Sequence, residues 1–397
     1  MVLVLAFAVT LLLAVLVSEL ADRSILSTAV LFLVAGILIG DGVFAITTIK
    51  PDDPLVIGLA SLALFCVLFT DGMHVTATDL TSSWHLPGRA LILGLPLTLG
   101  GTALIAHWVA GLTWSESFLL GAILCPTDPV FAAAIVGRKQ VSPRLRQLLN
   151  VESGLNDGIA LPIVVIMLSV VSKVKIGIMP LLGEIVLGVV LGVAIPYAAI
   201  RLEKSRFFSS TVVFRPLNVF AIGMLVFATA SLLHANLYLA AFAAGITLAS
   251  ASEEMSQAFH QFGELLSEIL KFAALLVFGA LISPKWLLQI GWRGCLFGIL
   301  CLILVRPVAI GISLLRSSLT RRETIAAAWF GPKGFASVVF GLMILQVGIA
   351  NDEELFHLVG VVIAVSILAH SSTDVIMAKW LEQDNDSLIK PAQSSEH

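Results

Sequence analysis

Thirteen apolar runs follow one another along the chain, each about the 17 to 25 residues that a helix needs to cross a bilayer. They begin near Val2, Ser24, Pro54, Leu86, Ser117, Gln147, Ile178, Val213, Asn236, Gly263, Gly291, Thr324 and Glu354. A chain with this pattern has few options, because backbone groups in hydrocarbon must be satisfied internally and only helices and closed barrels do so. Long mixed runs of Leu, Val, Ile, Ala and Gly fit helices, whereas a barrel would show short alternating strands. The expected fold is an all-α polytopic membrane protein with about 13 transmembrane helices; with 58% hydrophobic and 12% charged residues, a soluble globule is excluded. The first run starts at Met1 without a basic n-region and is followed at once by another, so it is read as a spanning helix and not a cleaved signal. A formal net charge of -3 argues against a nucleic-acid partner. The four cysteines, Cys66, Cys125, Cys295 and Cys301, lie inside apolar runs without metal spacing and are expected to be small core residues.

Basic residues set the expected orientation. Under the thirteen-span arrangement, 15 of the 23 Lys and Arg fall on one side, Arg138, Lys139, Arg321 and Arg322 among them, and only Lys50, Lys173, Lys175, Lys285 and Arg293 on the other. The positive-inside rule then places the N-terminus outside and the C-terminus in the cytoplasm. The remaining bases, Lys271, Arg306 and Lys333, lie within spans and require partners.

Two spans are interrupted. Span five contains Pro126-Thr127-Asp128-Pro129, whose prolines deprive the carbonyls of Ala122 and Cys125 of helical donors and push Cys125 and Asp128 out of the α region. Span twelve contains Gly331-Pro332-Lys333-Gly334. Each is the fifth of six if spans one to six and eight to thirteen form two repeats, about 1–172 and 213–382, with span seven as the odd linker that inverts the second. Discontinuous helices at matching positions of inverted repeats point to a secondary-transporter site near the midplane. The chain is therefore expected to form a single transmembrane domain over 1–382, followed by a short cytoplasmic tail at 383–397.

Span six carries Glu152-Ser153-Gly154-Leu155-Asn156-Asp157-Gly158. A charge at mid-bilayer costs at least about 2.5–3.5 kcal/mol, so such residues usually mark ion or proton paths. On a helix Ser153, Asn156 and Asp157 share a face and Glu152 lies on an adjacent one. Carboxylate, hydroxyl and freed carbonyl oxygens suit an alkali cation. A desolvated carboxylate also competes for protons, which is the minimum machinery of exchange.

In these motifs, and in Arg306-Pro307 of span eleven, the chain resembles the monovalent cation:proton antiporters, specifically the sodium/proton exchanger branch that includes the NhaP-type and mammalian plasma-membrane exchangers. The four motifs occur in the family's order and spacing, and the resemblance covers most of the chain. It implies that Asp157 is the ion-binding and proton-exchanging carboxylate, with Asp128, Ser153 and Thr127 beside it as ligands of the alkali cation. Asn156 would be the neutral partner typical of electroneutral members, and Glu152 would pair with Arg306. Lys333, a charge at the helix crossing, stands where the family usually has arginine. The resemblance also implies a homodimer in the lipid bilayer of a prokaryotic cell membrane, no cofactor beyond the transported Na+ (or Li+ or K+) and H+, and a transporter rather than an enzyme. Counting charges, Glu152 with Arg306 and Asp128 with Lys333 would leave Asp157 alone without a fixed countercharge, so that one proton trades for one cation.

Smaller expectations concern other polar residues. Asp71 is expected to cap or end span three. Glu264, Glu268 and Lys271, at helical spacing at the start of span ten, are expected to line an entrance or form local ion pairs rather than to act as a cytoplasmic pH sensor, and His107 and His370 to be structural rather than proton relays. Two other functional classes use membrane carboxylates: an intramembrane aspartyl protease and a cation channel. Against the protease, Gly40-Asp41-Gly42 lies at a span end and lacks a Gly-x-Gly-Asp context.

Overall fold

A computed structural model describes residues 1–18, 28–40, 42–74, 85–128, 141–172, 178–205, 208, 210–283 and 285–389. All regular structure among them is helical. The first seven segments are α1 (Val2–Leu16), α2 (Thr28–Ile39), α3 (Pro54–His74), α4 (His85–Ala110), α5 (Trp114–Leu124), α6 (Pro143–Val171) and α7 (Ile178–Glu203). After them come α8 (Arg215–Leu232), α9 (Leu237–Ala251), α10 (Glu253–Leu281), and α11, which runs Lys285–Leu300 and continues through a wide turn into Arg306–Ser313. The chain closes with α12a (Arg321–Trp329), α12b (Phe335–Val347) and α13 (Asp352–Ile389). Asp41, Pro129, Arg138, Lys139, Lys173, Lys175 and the last part of the tail lie outside the described residues.

Among the described residues, seven helical stretches have the length and apolarity of a full crossing, and five apolar helices are shorter. Helices stand at all thirteen expected places, and length and composition among the described residues mark seven of them as full crossings, so the number thirteen is not confirmed exactly. The segments at the fifth and twelfth places are cut by backbone breaks, and α10 carries Glu264, Glu268 and Lys271 within its apolar part. α13 also continues to Ile389, past the expected boundary at 382.

Prolines stand beside two of the irregular turns inside the helices. α4 widens into a π-helical turn at Ala90–Gly94 just before Pro96, and α11 does so at Cys301–Val305 just before Pro307. A proline cannot donate to the carbonyl four residues back, and a π-turn absorbs the missing bond without ending the helix. The second of these turns aims Arg306 inward.

Small residues let helices approach backbone to backbone. A Cβ on Gly36 of α2 would lie 2.2 Å from Leu276 O of α10, and one on Gly279 would lie 2.3 Å from Leu33 O. Gly72 of α3 and Gly245 of α9 meet in the same way. Within a bilayer there is no hydrophobic drive between helices, so such contacts and the packing around them hold the bundle together. Phe32 stacks on Phe272 at 4.7 Å beside the α2–α10 contact. Overpacking at a site of this kind costs about 1–3 kcal/mol. Gly279→Val is therefore expected to lower the melting midpoint of the detergent-solubilised protein. Gly58→Ala in α3, where a Cβ meets nothing within 4 Å, should leave it unchanged or raise it by the helix-propensity difference of at most about 1 kcal/mol. Equal midpoints for the two variants would refute the backbone-contact account.

Candidate ion-binding site

Two helices stop in the middle of the bundle. α5 opens with a capping box, Thr113 with Glu116, and ends at Leu124; the chain then runs non-helically through Pro126, Thr127 and Asp128. α12a opens with the same device, Thr320 with Glu323, and gives way at Phe330 to a non-helical stretch that ends where α12b begins at Phe335. Each break leaves carbonyls without helical donors, and side chains supply the missing bonds. Cys125 Sγ donates to Ala122 O at 3.3 Å, and Ser337 Oγ donates to Ile123 O at 2.7 Å. Arg306 Nη2 donates to Phe330 O at 2.8 Å, while His370 Nε2 lies 3.0 Å from Trp329 O.

The breaks also bond to each other. Asp128 N–H donates to Pro332 O at 3.0 Å, and Phe335 N–H donates to Asp128 Oδ2 at 3.2 Å. The Asp128 carboxylate thus sits at the first turn of α12b, where the helix dipole favours negative charge. Gly331 and Gly334 make room: a Cβ would fall 1.5 Å from Arg306 Nε at the first and 1.9 Å from Asp128 Cβ at the second. Lys333 N–H donates to Ser366 Oγ of α13 at 2.8 Å, which ties the crossing to that helix.

α6 brings its polar face to this crossing. Asn156 Nδ2 donates to Thr127 Oγ1 at 2.7 Å, and Ser153 Oγ lies 3.4 Å from the same hydroxyl. Asn156 Oδ1 is buried without a hydrogen-bond partner among the described residues. Asp157, buried one residue further on, accepts no hydrogen bond from the described residues; its charge interacts with those of Asp71, Asp128 and Lys271. Thr127, Asp128, Ser153, Asn156 and Asp157 therefore converge. Glu152 lies to one side, where Arg306 grips it with Nη1–Oε1 at 2.9 Å and Nη2–Oε2 at 3.3 Å, both residues being buried.

One expected pairing is corrected. Asp128 is neutralised by Lys271 of α10, at 3.9 Å, and not by Lys333. The Lys333 main chain is held by Ser366, and its fully buried side chain lies in the field of Arg306, Glu152, Cys125 and Cys301; its Nζ makes no hydrogen bond among the described residues. Lys271 reaches Asp128 because α10 is fixed against α3 by a buried hydroxyl pair, Thr70 Oγ1 and Ser267 Oγ at 2.9 Å. Asp71, one residue from Thr70, lies in the last turn of α3 as its place in the span suggests, but its charge interacts with Lys271 and Asp128. It is part of the cluster.

Sequence reasoning missed Asp71 as a member of this group and the partner of Lys271. The signal available was the third base inside a span, which demanded an acid. The matching Thr-x-x-Glu boxes ahead of both breaks were also legible and relate the two segments. His107 and His370 are both bound structurally: His107 Nδ1 lies 2.7 Å from Leu112 O, and His370 Nδ1 lies 2.7 Å from Ser366 O.

Removing one member of a buried pair strands the other, at a cost of about 3–5 kcal/mol. Arg306 also satisfies Phe330 O, so Arg306→Ala is expected to lower the melting midpoint sharply in detergent. A variant that melts like the parent and differs only in cation affinity would show that the pair does not hold the crossing.

Comparison with known proteins agrees with this architecture. The family profile "Sodium/hydrogen exchanger, transmembrane" matches residues 7–379. The sodium proton antiporter MjNhaP1 from Methanocaldococcus jannaschii, in its structure at pH 8, superposes with a TM-score of 0.77 at 20% identity, covering 96% of this chain and 97% of that one. Among sequence relatives, the K(+)/H(+) antiporter NhaP of Alkalimonas amylolytica is 24% identical over 396 residues, 98% of this chain and 69% of the relative. The K(+)/H(+) antiporter NhaP2 of Shewanella oneidensis is 24% identical over 369 residues, 91% of this chain and 63% of the relative, so the chain spans less than two thirds of that protein's length. The chain belongs to the sodium/hydrogen exchanger family of monovalent cation:proton antiporters.

Proposed function

We propose that the protein exchanges Na+ for H+ one for one, with Asp157 as the group that carries either ion. The observation behind this reading is a buried carboxylate, Asp157, that accepts no hydrogen bond among the described residues, next in sequence to Asn156, whose Oδ1 is buried without a partner among them. An unsatisfied buried acceptor is costly, and a cation bound there supplies what the protein does not. Asp157, Asp128, Ser153 and Thr127 provide hard oxygen ligands, with Asn156 as a neutral member. The alkali cation is cargo, and protonation of Asp157 releases it.

The charge count supports one-for-one exchange even though Lys333 does not pair with Asp128. Acids at the crossing are Asp71, Asp128, Glu152 and Asp157; bases are Lys271, Arg306 and Lys333. With all seven ionised the group carries one excess negative charge, which one proton or one monovalent cation neutralises. Asp71 and Asp157 lack a bound donor among the described residues, and Asp157 is the one beside Ser153 and Thr127. The orientation proposed is N-terminus outside and C-terminus in the cytoplasm, in a homodimer in a prokaryotic cell membrane. K+ is the second reading for the cargo, because the relatives from Alkalimonas and Shewanella are named K(+)/H(+) antiporters.

Asp157→Asn is expected to abolish exchange while folded protein persists, since an amide cannot alternate between proton and cation. Robust cation-driven proton movement by that variant in proteoliposomes would refute the assignment; a comparison of Na+, Li+ and K+ in the parent identifies the cargo. Stoichiometry is read separately, from sodium-driven exchange under a clamped potassium-diffusion potential. Rates independent of the sign of that potential are expected, and rates that follow it would overturn the one-for-one count.

A further inference from the structure

The aqueous end of the α3–α10 contact carries a second constellation, away from Asp157. His74 ends α3, while His260 and Glu264 lie one turn apart on α10. Glu264 Oε1 lies 3.2 Å from His260 Nδ1 and 3.6 Å from His74 Nε2, and the three ligand atoms all fall within 4.8 Å of one another. The two imidazole rings are 5.0 Å apart. Two histidines and one carboxylate are a donor set for borderline divalent metals. Bonds of about 2.0–2.1 Å in a tetrahedral site require ligand atoms about 3.3–3.4 Å apart, a spacing that the two Glu264 contacts already approach. The histidine and glutamate one helical turn apart are held on one face. All three side chains are about half exposed, so a hydrated ion can reach them and keep a water as fourth ligand.

We propose that His74, His260 and Glu264 form a binding site for a divalent transition-metal ion of zinc's class, and that the bound ion slows exchange. The second half rests on the antiport reading. His74 and His260 line a cavity of about 260 Å³ whose wall reaches Thr70, next to Asp71. A divalent ion held by two neutral histidines and the Glu264 carboxylate leaves one net positive charge at its mouth, which repels an approaching alkali cation, and the metal ties α3 to α10, the helices that carry Asp71 and Lys271. A simple ion pair of Glu264 with one protonated histidine would leave the mouth neutral.

The test uses the full-length protein in detergent, titrated with Co2+ and followed by visible d–d absorption, with Zn2+ as competitor. One saturable site per chain is expected, with cobalt bands displaced by zinc. His260→Ala and Glu264→Gln should each weaken binding by more than about tenfold, at least the loss seen when even outer-shell partners of a metal site are removed, whereas His85→Ala in α4 should not. A spectrum without saturable bands, or bands that persist in both α10 variants, would overturn the site. In proteoliposomes, saturating zinc is expected to remove most of the exchange rate of the parent and little of that of His260→Ala. Zinc binding with an unchanged parent rate would overturn the inhibitory role. Absence of exchange without metal would instead count against the antiport reading and leave the cobalt result standing.

Discussion

A helix that ends inside a membrane exposes carbonyl and N–H groups where no water is available to take them, and the crossing of α5 with α12 does this twice at one place. Each unsatisfied group would cost several kcal/mol in hydrocarbon. Much of the surrounding bundle answers that demand. Ser337, Arg306 and Ser366 reach in from neighbouring segments, the Asp128 peptide bonds across to Pro332, and the Asp128 carboxylate takes the first turn of α12b. The arrangement is specific because each partner has one geometry that works. It also leaves little room, which is why Gly331 and Gly334 stand where the Arg306 and Asp128 side chains pass.

The charges divide into two groups around this crossing. Glu152, Arg306 and Lys333 form one, with the bidentate pair at its centre. Asp71, Asp128, Asp157 and Lys271 form the other. Burying a charge pair gains little stability over an apolar replacement, yet breaking one is expensive, so the first group acts as a fixed structural unit. The second group holds three acids against one base. Asp71 of α3 and Lys271 of α10 contribute one charge of each sign, so the excess of negative charge in this group is that of Asp128 and Asp157.

The two interrupted segments are built alike. Each starts from a Thr-x-x-Glu capping box, runs for about two and a half to three turns and gives way just before a proline. At 20% identity the match to MjNhaP1 is a statement about fold, while the chemistry of the crossing is read from this chain's own side chains.

The sequence by itself determined that the chain is helical and membrane-bound, where two helices must break, and which α6 residues share a face. Those features follow from local rules: apolar run length, the missing N–H of proline and the helical repeat. It also indicated that Arg306, Lys271 and Lys333 needed partners, since a charge at membrane depth is costly whatever surrounds it. For Arg306 the family resemblance already implied Glu152; only the tertiary structure gave Lys271 its partner and left Lys333 Nζ without a hydrogen bond among the described residues. Lys271 and Asp128 are far apart in sequence and meet because small residues and the Thr70–Ser267 bond set how α10 lies against α3. Lys333, close to Asp128 by way of the crossing, is turned away from it by the Ser366 bond to its own peptide. Side-chain direction at a helix crossing depends on the angle and depth of packing, and no spacing along one chain encodes either.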